Sequence, residues 1–320
     1  MPLDLMLELE HTTCCMCGGR EGQPRMAGRD VEFLTCGNWF TFVECAGCGH
    51  LYLSPRPRVE NMDVIYAGYL TTNTESAYHP SPLVASIKNR MFDVRRMRPI
   101  LGTVRAGSKV LDIGAGAGRL LRLLRSVSRV PLDLYANEIR FDEGARRSLE
   151  EDQIRLIEGP IEQFVTAERF DAMTSVHVIE HVVDPRAVFG WMAEHLNPGG
   201  VLYLETPDAG AFCRRIFGSE WGMTHFPRHF NLFTKTHLAA LASDAGLSVR
   251  RQGNTTSAPA WNMSIRNRLK MDALSKHRSA FELFNYSNLA TLGAFTLVDC
   301  LLLACRVPTS TQTLVAVKPG

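Results

Sequence analysis

The pattern of apolar and polar positions divides the chain into three stretches. The first, residues 1–55, is dominated by cysteines, and the second, residues 56–105, predicts a polar helical lid or linker. From residue 106 to residue 320, short apolar runs alternate with segments whose leucines recur at helical spacing. Such alternation is typical of an α/β domain built on a mostly parallel sheet. We therefore predict two additions in front of an α/β domain.

The α/β domain begins with a strand, a glycine turn and a helix. Val110 to Ile113 is a short apolar run, and Arg119 to Val127 places leucines at helical spacing. The dinucleotide-binding fingerprint would need a glycine at position 119, so that template fails. The carboxylate of Asp112 would also repel a pyrophosphate, and it favours a cationic ligand instead. The turn between strand and helix carries three alternating glycines, Gly114, Gly116 and Gly118.

Glu138 stands at the end of the next predicted strand, Asp133 to Glu138. Neighbouring parallel strands end at the same edge of a sheet, so this carboxylate is expected beside the glycine turn. Two hydroxyls of a ribose could each donate a hydrogen bond to it. The alternative is a strand-end acid that is simply solvated.

The Asp-x-Gly-x-Gly-x-Gly loop resembles the cofactor loop of class I S-adenosylmethionine-dependent methyltransferases. Other motifs follow in that family's order over residues 108–250, including a third-strand turn at Ile161 and a Glu-His-x-x-Asp-Pro segment after the fourth strand. The resemblance implies a Rossmann-like sheet of seven strands, mostly parallel with the last one antiparallel, and S-adenosylmethionine as the cofactor. It also implies the residues that contact this cofactor, which are Asp112, Gly114, Gly116, Gly118, Glu138, Ile161 and His177.

The segment from Phe170 to Ile179 predicts the fourth strand because its residues are largely apolar and β-branched. Asp184 and Pro185 then predict the start of a helix that runs to about Leu196. His177-x-x-Glu180-His181 also matches the inverted zinc-protease motif, but that chemistry needs a helix. The same segment is similar in part to quinone-pathway O-methyltransferases, whose Glu-x-x-Glu-His segment can hold a divalent metal. His177 replaces the first acid here, and a structural role for Glu180 and His181 is the alternative.

Residues 221–233, after the fifth predicted strand, concentrate histidines, an arginine and aromatic residues in one loop. Ligands of open α/β sheets bind beyond the carboxyl ends of the strands, where this loop is expected. A hydroxyl or carbon acceptor must lose a proton when it is methylated, and histidine suits that task near neutral pH. We expect His225, His229 or His181 to be the general base and Arg228 to receive an anionic substrate group. Structural hydrogen bonding is the alternative for each histidine.

Six of the nine cysteines fall within the first 48 residues. Four of them form two Cys-x-x-Cys-Gly units, a spacing typical of zinc knuckles. We predict a structural zinc ribbon, with Val31 to Val43 supplying a hairpin between the knuckles. Cys15 and Cys36 are bystanders in this interpretation, His50 is a weaker candidate ligand, and reduced thiols are the alternative. The predicted zinc ligands are Cys14, Cys17, Cys45 and Cys48.

Composition limits the classes of partner. The chain of 320 residues is 45% hydrophobic and 21% charged, which indicates a folded globular protein, and its net charge of +2 disfavours a nucleic acid as the main partner. The first residues lack a secretory pattern, and the apolar stretch 294–305 is too short to cross a bilayer and contains Asp299. We expect a cytoplasmic protein that binds no membrane, and the oligomeric state stays open.

The motifs together predict an S-adenosylmethionine-dependent methyltransferase that acts on a hydroxyl or carbon of a small molecule. The cysteine module followed by Tyr-Leu-Ser-Pro-Arg-Pro is similar to methyltransferases of sugar-modifying and natural-product pathways. Ribosomal RNA base methylation and a non-catalytic, zinc-dependent interaction protein are the alternatives. A helical insertion at about 254–311 is expected to shape the substrate pocket. Tyr66, Tyr69 and Tyr78 would either fold over the cofactor or pack within helices.

Overall fold

The computed structural model describes residues 4–66, 94–272, 283–285 and 288–320 of the chain. The strands, in chain order, are β1 (Leu9–Glu10), β2 (Gly22–Gly28), β3 (Phe40–Cys45), β4 (Leu51–Leu53), β5 (Arg56–Pro57), β6 (Ser108–Ile113), β7 (Leu132–Glu138), β8 (Arg155–Glu158), β9 (Phe170–Val176), β10 (Leu196–Pro207), β11 (Asn231–Leu232), β12 (Ser248–Thr255) and β13 (Thr311–Val317). The helices are α1 (Val94–Leu101), α2 (Arg119–Val127), α3 (Glu143–Glu151), α4 (Pro185–His195), α5 (Phe212–Phe217), α6 (Lys235–Asp244), α7 (Ala258–Asp272) and α8 (Leu289–Ala304).

Seven strands form one sheet in the spatial order β12-β13-β10-β9-β6-β7-β8. Strands β6 to β10 are mutually parallel, and β13 runs antiparallel to both of its neighbours. The prediction of a seven-stranded, mostly parallel sheet whose last strand is antiparallel is therefore confirmed. The chain builds outward from β6 to β8 on one side and then returns to β9 on the other. The strand order therefore reverses between the neighbouring strands β6 and β9. This is the topological switch point, and open α/β sheets bind ligands beyond the carboxyl ends of the strands there.

The central strand β6 explains why this region is recognisable from its sequence. Its residues Val110 and Leu111 are fully buried, because both faces of the sheet are covered by helices. Helix α2 begins at Arg119 as predicted and buries Leu120, Leu121 and Leu124 against the sheet. Burial of one such leucine stabilises the fold by about 1.5–3 kcal/mol, so this face alone holds α2 in place.

The fourth strand is shorter than predicted. It ends at Val176, because His177 adopts a left-handed backbone conformation with a φ of 56° that interrupts the pleat. Residues Ile179–His181 form a single 3₁₀ turn rather than a strand. The helix that follows is confirmed, since the Asp184 carboxylate accepts hydrogen bonds from the N–H groups of Arg186 and Ala187 at its start.

A second, four-stranded sheet contains the cysteine-rich region in the order β11-β4-β3-β2. The hairpin predicted over Val31 to Val43 is wrong, because β3 pairs instead with β2, Gly22–Gly28. Asp30 accepts hydrogen bonds from the N–H groups of Phe33 and Thr35, which folds residues 30–35 into a turn outside the sheet. The fourth strand of this sheet, β11, comes from the distant histidine-bearing loop.

Helices α7 and α8 lie within the predicted insertion, between β12 and β13. The rings of Trp261 and Phe295 stack between them with centroids 5.4 Å apart. Asp299 is fully buried on α8 and accepts hydrogen bonds from the Trp261 indole N–H and the Ser257 backbone N–H. This carboxylate in an apolar stretch therefore joins α8 to the start of α7. Within the described residues, every helix is too short or too polar to span a membrane. Tyr69 and Tyr78 lie outside the described residues.

Candidate active site

The turn after β6 needs glycine because its backbone is left-handed and because, at both ends of the turn, a side chain would clash with its neighbours. All three have a positive φ, between 54° and 76°. A Cβ on Gly114 would lie 2.2 Å from Val178 Cγ2, and one on Gly118 would lie 2.2 Å from Leu149 Cδ2. A Cβ on Gly116 would meet no atom within 4 Å, so the middle of the turn faces open space. The turn is packed tightly at both ends and is open at its centre, where a ligand could approach the backbone.

The Glu138 carboxylate lies directly beside this open centre. Its Oε2 accepts a hydrogen bond from the Gly116 N–H at 3.1 Å, and its Oε1 accepts one from the Ile139 N–H at 3.0 Å. Each carboxylate oxygen keeps a second lone pair, which a ribose hydroxyl could use as acceptor. Burial raises the pKa of Glu138. These contacts fit the role predicted for the acid.

Asp112 is buried beneath the turn, with 2% of its surface exposed. It accepts a hydrogen bond from the Thr174 hydroxyl at 2.5 Å on the neighbouring strand β9. Burial, helped by the charge of Glu138, raises the pKa of Asp112 to about 7, although the Thr174 bond opposes this. A cationic ligand above the turn would favour the ionised carboxylate, as the sequence suggested.

The turn after β8 places Ile161 in the core beside the end of β7. Asn137 holds this turn, because its amide donates to the carbonyls of Ile157 and Gly159. Sequence reasoning did not single out Asn137, although a polar residue within the apolar strand before Glu138 was a usable signal.

Three imidazoles meet where β9 ends, and we call His181, His225 and His229 the histidine cluster. The ring centroids of His181 and His229 are 4.5 Å apart, and those of His225 and His229 are 4.9 Å apart. The Nδ1–H of His229 donates to the Met223 carbonyl and that of His181 to the Arg228 carbonyl, so Nε2 carries the lone pair in both neutral rings. Burial lowers the pKa of all three histidines.

Glu180 is fully buried beside the histidine cluster. Its Oε1 lies 3.1 Å from His177 Nδ1 and 4.0 Å from His229 Nε2, and its Oε2 accepts the Thr206 hydroxyl hydrogen at 2.8 Å. Burial opposes ionisation, but the hydrogen bond and charge of Glu180 outweigh it and raise the pKa of His177. The same bond lowers the pKa of Glu180 despite its burial. Each side chain therefore favours the ionised form of the other at the switch point of the sheet.

Glu180, His181 and His229 each offer a ligand atom, and these atoms lie within 4.8 Å of one another. Two histidines and one carboxylate are a donor set that suits several divalent metals. His177, which replaces the first acid of the quinone-pathway motif, is instead hydrogen-bonded to Glu180. The set that the fold assembles thus includes His229, which the sequence motif does not contain.

The four predicted zinc ligands of the cysteine-rich region converge on one point. Their sulfur atoms lie within 4.8 Å of one another, with Cys14 and Cys48 3.5 Å apart and Cys17 and Cys45 3.4 Å apart. A tetrahedral zinc ion with Zn–S bonds of 2.3 Å would place its ligands about 3.8 Å apart, so this cluster fits zinc. The other thiols and His50 lie outside the set, since the Cys15 thiol and the His50 ring both contact Asn231.

The expectation that Arg228 receives an anionic substrate group is wrong. Its side chain is fully buried and forms an ion pair with Asp30, which is also fully buried, at 3.1 Å. It further donates to the Ile65 carbonyl at 2.9 Å, and its guanidinium carbon lies 4.2 Å from the centroid of the Phe33 ring. Arg228 therefore joins the histidine-bearing loop to the cysteine-rich region instead of facing a ligand.

Two further groups reach the site from outside the glycine turn and the histidine-bearing loop. The Tyr66 hydroxyl lies 3.0 Å from His181 Nδ1. Glu205, fully buried at the end of β10, forms an ion pair with Arg96 of α1 at 2.8 Å and accepts a hydrogen bond from the Tyr203 hydroxyl. The only sequence signal for Glu205 was an acid inside an apolar strand.

The chain is similar to known methyltransferases in sequence and in fold. A family profile described as a methyltransferase domain matches residues 85–252. A ubiquinone biosynthesis O-methyltransferase from Xanthomonas oryzae pv. oryzae is 31% identical over 212 residues, which are 56% of this chain and 87% of that protein. One from Stutzerimonas stutzeri is 31% identical over 156 residues, which are 45% of this chain and 66% of that protein.

Solved structures share the fold at lower identity. Phosphoethanolamine N-methyltransferase 2 of Haemonchus contortus, in complex with S-adenosyl-L-methionine, is 15% identical with a TM-score of 0.53, covering 93% of this chain and 69% of that one. The [4+2]-cyclase SpnF is 13% identical with a TM-score of 0.50, covering 82% and 97%. The fold therefore accommodates more than one reaction, and the chemistry must be argued from the site.

Proposed function

Since the chain belongs to the methyltransferase-domain family, we propose that it transfers the methyl group of S-adenosylmethionine to a hydroxyl of a small molecule. In this proposal residues 1–55 are a structural zinc ribbon, residues 56–105 a helical linker, and residues 106–320 the methyltransferase domain. The cofactor would be held by Asp112, Gly114, Gly116, Gly118, Glu138, Ile161 and His177.

One contact carries the proposal. Gly114, at the entry of the glycine turn, packs against Val178, so closely that any Cβ would clash. Val178 lies between His177 and the 3₁₀ turn that carries Glu180 and His181. The turn proposed to hold the cofactor and the segment that leads into the histidine cluster are therefore in direct contact at the switch point of the sheet. Charge-bearing side chains in such a position are favoured for chemistry.

The proposed reaction needs positioning and a base. S-adenosylmethionine, when bound, supplies a methyl carbon already activated by its sulfonium. The protein must align the acceptor oxygen with that carbon, and alignment provides much of the rate enhancement of such displacements. A lowered pKa keeps the rings of the histidine cluster neutral near pH 7, so His225, His229 or His181 can take the hydroxyl proton as the methyl group is transferred.

A hydroxyl is preferred over a carbon acceptor for two reasons. The relatives at 31% identity are named O-methyltransferases. A neutral histidine also matches the modest basicity needed to accept a hydroxyl proton as the oxygen–carbon bond forms. The proposed acceptors are therefore phenols and hydroxylated intermediates of sugar or natural-product chemistry, and the assay below separates these classes.

Metal-assisted transfer is a second candidate, because Glu180, His181 and His229 bring their ligand atoms within 4.8 Å. A divalent ion held there would supply a Lewis acid that lowers the pKa of an acceptor hydroxyl. His229 and His181 would then be ligands, and His225 would remain as the base.

The test is a methyl-transfer assay with labelled S-adenosylmethionine and three acceptor sets: catechols, monosaccharides and a structured RNA. We expect labelled product from the first or second set and a loss of at least about tenfold in rate for one of His225→Ala, His229→Ala and His181→Ala. Repeating the assay with a chelator that spares the cysteine site, followed by Mg²⁺ or Mn²⁺, separates the metal-free and metal-assisted forms. Label in the RNA alone, or unchanged rates in all three variants, would overturn the proposal.

A further inference from the structure

The turn at residues 30–35, which we call the ribbon loop, packs directly against the loop that carries the histidine cluster. Asp30 forms the buried ion pair with Arg228, and Gly28 approaches the Phe226 ring so closely that a Cβ there would lie 2.6 Å from it. Because both partners of this pair are fully buried, separating them would leave an uncompensated charge in the interior, so the two loops form one unit.

Phe33 of the ribbon loop fills the space between two residues of the histidine-bearing loop. Its ring stacks on the His225 ring with centroids 5.8 Å apart and an interplanar angle of 20°. The guanidinium of Arg228 covers the same ring. The plane of the His225 ring is thus set by a side chain from the cysteine-rich region.

Glu32 of the same loop reaches the edge of this ring. Its Oε2 lies 3.4 Å from His225 Nε2. The His225 side chain is 9% exposed and that of Glu32 is 23% exposed, so the pair lies at the boundary between the interior and solvent. The contact is wider than an ordinary hydrogen bond, but a carboxylate that faces an imidazole N–H fixes the orientation and tautomer of the ring in many enzymes, and catalytic hydrogen bonds often tighten only when substrate binds.

The pair opens onto a cleft between the cysteine-rich region and the methyltransferase domain. The enclosed space of this cleft is only about 20 Å³, so it admits a small polar group and no complete ring. The charged residues that line it are Arg29, Glu32, Glu220 and His225.

We propose that Glu32 is a positioning residue, which holds the His225 ring with its proton on Nε2 and so leaves the Nδ1 lone pair to take the proton of an acceptor hydroxyl. The inference rests on the proposed function and deepens it. The cysteine-rich module is then part of the active site. The acceptor proton moves to His225 Nδ1 as the oxygen–methyl bond forms and the sulfur–methyl bond breaks.

The first experiment needs no acceptor. The protein is labelled with ¹⁵N in its histidines, and the ring nitrogen shifts of His225, assigned with His225→Gln, are compared in the wild type, Glu32→Ala and Glu32→Gln. We expect the wild-type ring to be protonated at Nε2, Glu32→Ala to lose this tautomer, and the isosteric Glu32→Gln to retain much of it. Glu44→Gln, an acid on β3 paired with Arg25, is the matched control and should leave the His225 shifts unchanged.

The second experiment uses the acceptor found in the methyl-transfer assay. We expect kcat to fall about 10–100-fold in Glu32→Ala with KM within about threefold, and Glu32→Gln to lie between this variant and the wild type. Zinc content and circular dichroism verify that each variant is folded. An unchanged His225 tautomer in Glu32→Ala, or a kcat within twofold of the wild type, would overturn the inference. If the wild type methylates no acceptor, the proposed function fails, whereas the nitrogen shifts still decide whether Glu32 holds His225.

Discussion

The two ends of the candidate site are built in different ways. At the cofactor end, Asp112, Gly116 and Glu138 are held by hydrogen bonds within the large sheet and its first turn. At the histidine end, the loop that carries His225 and His229 is tied to the cysteine-rich region by an ion pair whose partners are 198 residues apart. The comparison indicates that the order of the cofactor end arises within the large sheet, whereas the order of the histidine end also depends on contacts with the cysteine-rich region.

The largest expected effect comes from removing the metal that the four cysteines fit. A structural zinc site contributes about 10–16 kcal/mol to folding in small zinc domains, so chelation or Cys45→Ser should unfold the ribbon. Strand β11 pairs with the ribbon sheet, and we therefore expect residues 225–233 to lose protection in hydrogen exchange. S-adenosylmethionine should still bind, with its Kd changed by less than about threefold.

The control for this prediction is Cys300→Ser, which changes an exposed cysteine on α8 outside the cluster. Retained protection of residues 225–233 after metal removal would show that the histidine end does not depend on the ribbon.

The next effect isolates the buried ion pair. Asp30→Ala leaves the Arg228 guanidinium buried without its counter-charge, and we expect the free energy of unfolding to fall by about 3–5 kcal/mol in a urea titration. Glu8→Ala removes an exposed partner of Arg58 and should leave the unfolding midpoint unchanged. Equal midpoints for the wild type and Asp30→Ala would mean that the two regions are coupled through other contacts.

A smaller effect tests the cofactor end. Glu138→Ala removes the acceptor proposed for the ribose hydroxyls, and hydrogen bonds to a charged group contribute about 1.5–3 kcal/mol, so the Kd for S-adenosylmethionine should rise about 10–100-fold. Calorimetry measures this directly. Glu158→Ala, at the end of β8 and paired with Arg146, serves as control. An unchanged Kd in Glu138→Ala would show that Glu138 does not bind the ribose hydroxyls of the cofactor.

The smallest effect is the pH dependence of cofactor binding. Burial raises the pKa of Asp112 to about 7, so below that pH a cationic ligand must displace a proton from this carboxyl. The Kd for S-adenosylmethionine should therefore fall as the pH rises from 6 to about 7 and then level off, with a slope of at most tenfold per pH unit. Asp112→Asn should flatten the profile, and a slope that survives this substitution would assign the proton to another group.

The cofactor end was predictable because its signals are local. The strand, the glycine turn and helix α2 form one continuous stretch, and the apolar periodicity of that stretch placed Arg119 and Val127 at the helix ends that the structure has. The prediction at His177 was less accurate, because nothing in a β-branched run indicates a residue with a φ of 56°. The prediction of a hairpin over Val31 to Val43 was wrong for a similar reason. The hydrogen bonds of the Asp30 carboxylate fold residues 30–35 into a turn, and they outweigh the preference of the β-branched residues for a strand.

The sequence by itself determined the sheet, the glycine turn with its acids, and the convergence of four cysteines. Those features arise from spacing within a few residues and from apolar periodicity, which a chain displays wherever it folds. Only the tertiary structure decided that Arg228 is buried against Asp30, that His229 joins Glu180 and His181, and that Glu32 meets His225. Such contacts join loops far apart in the chain, and their geometry depends on how two sheets pack together, which no local pattern encodes.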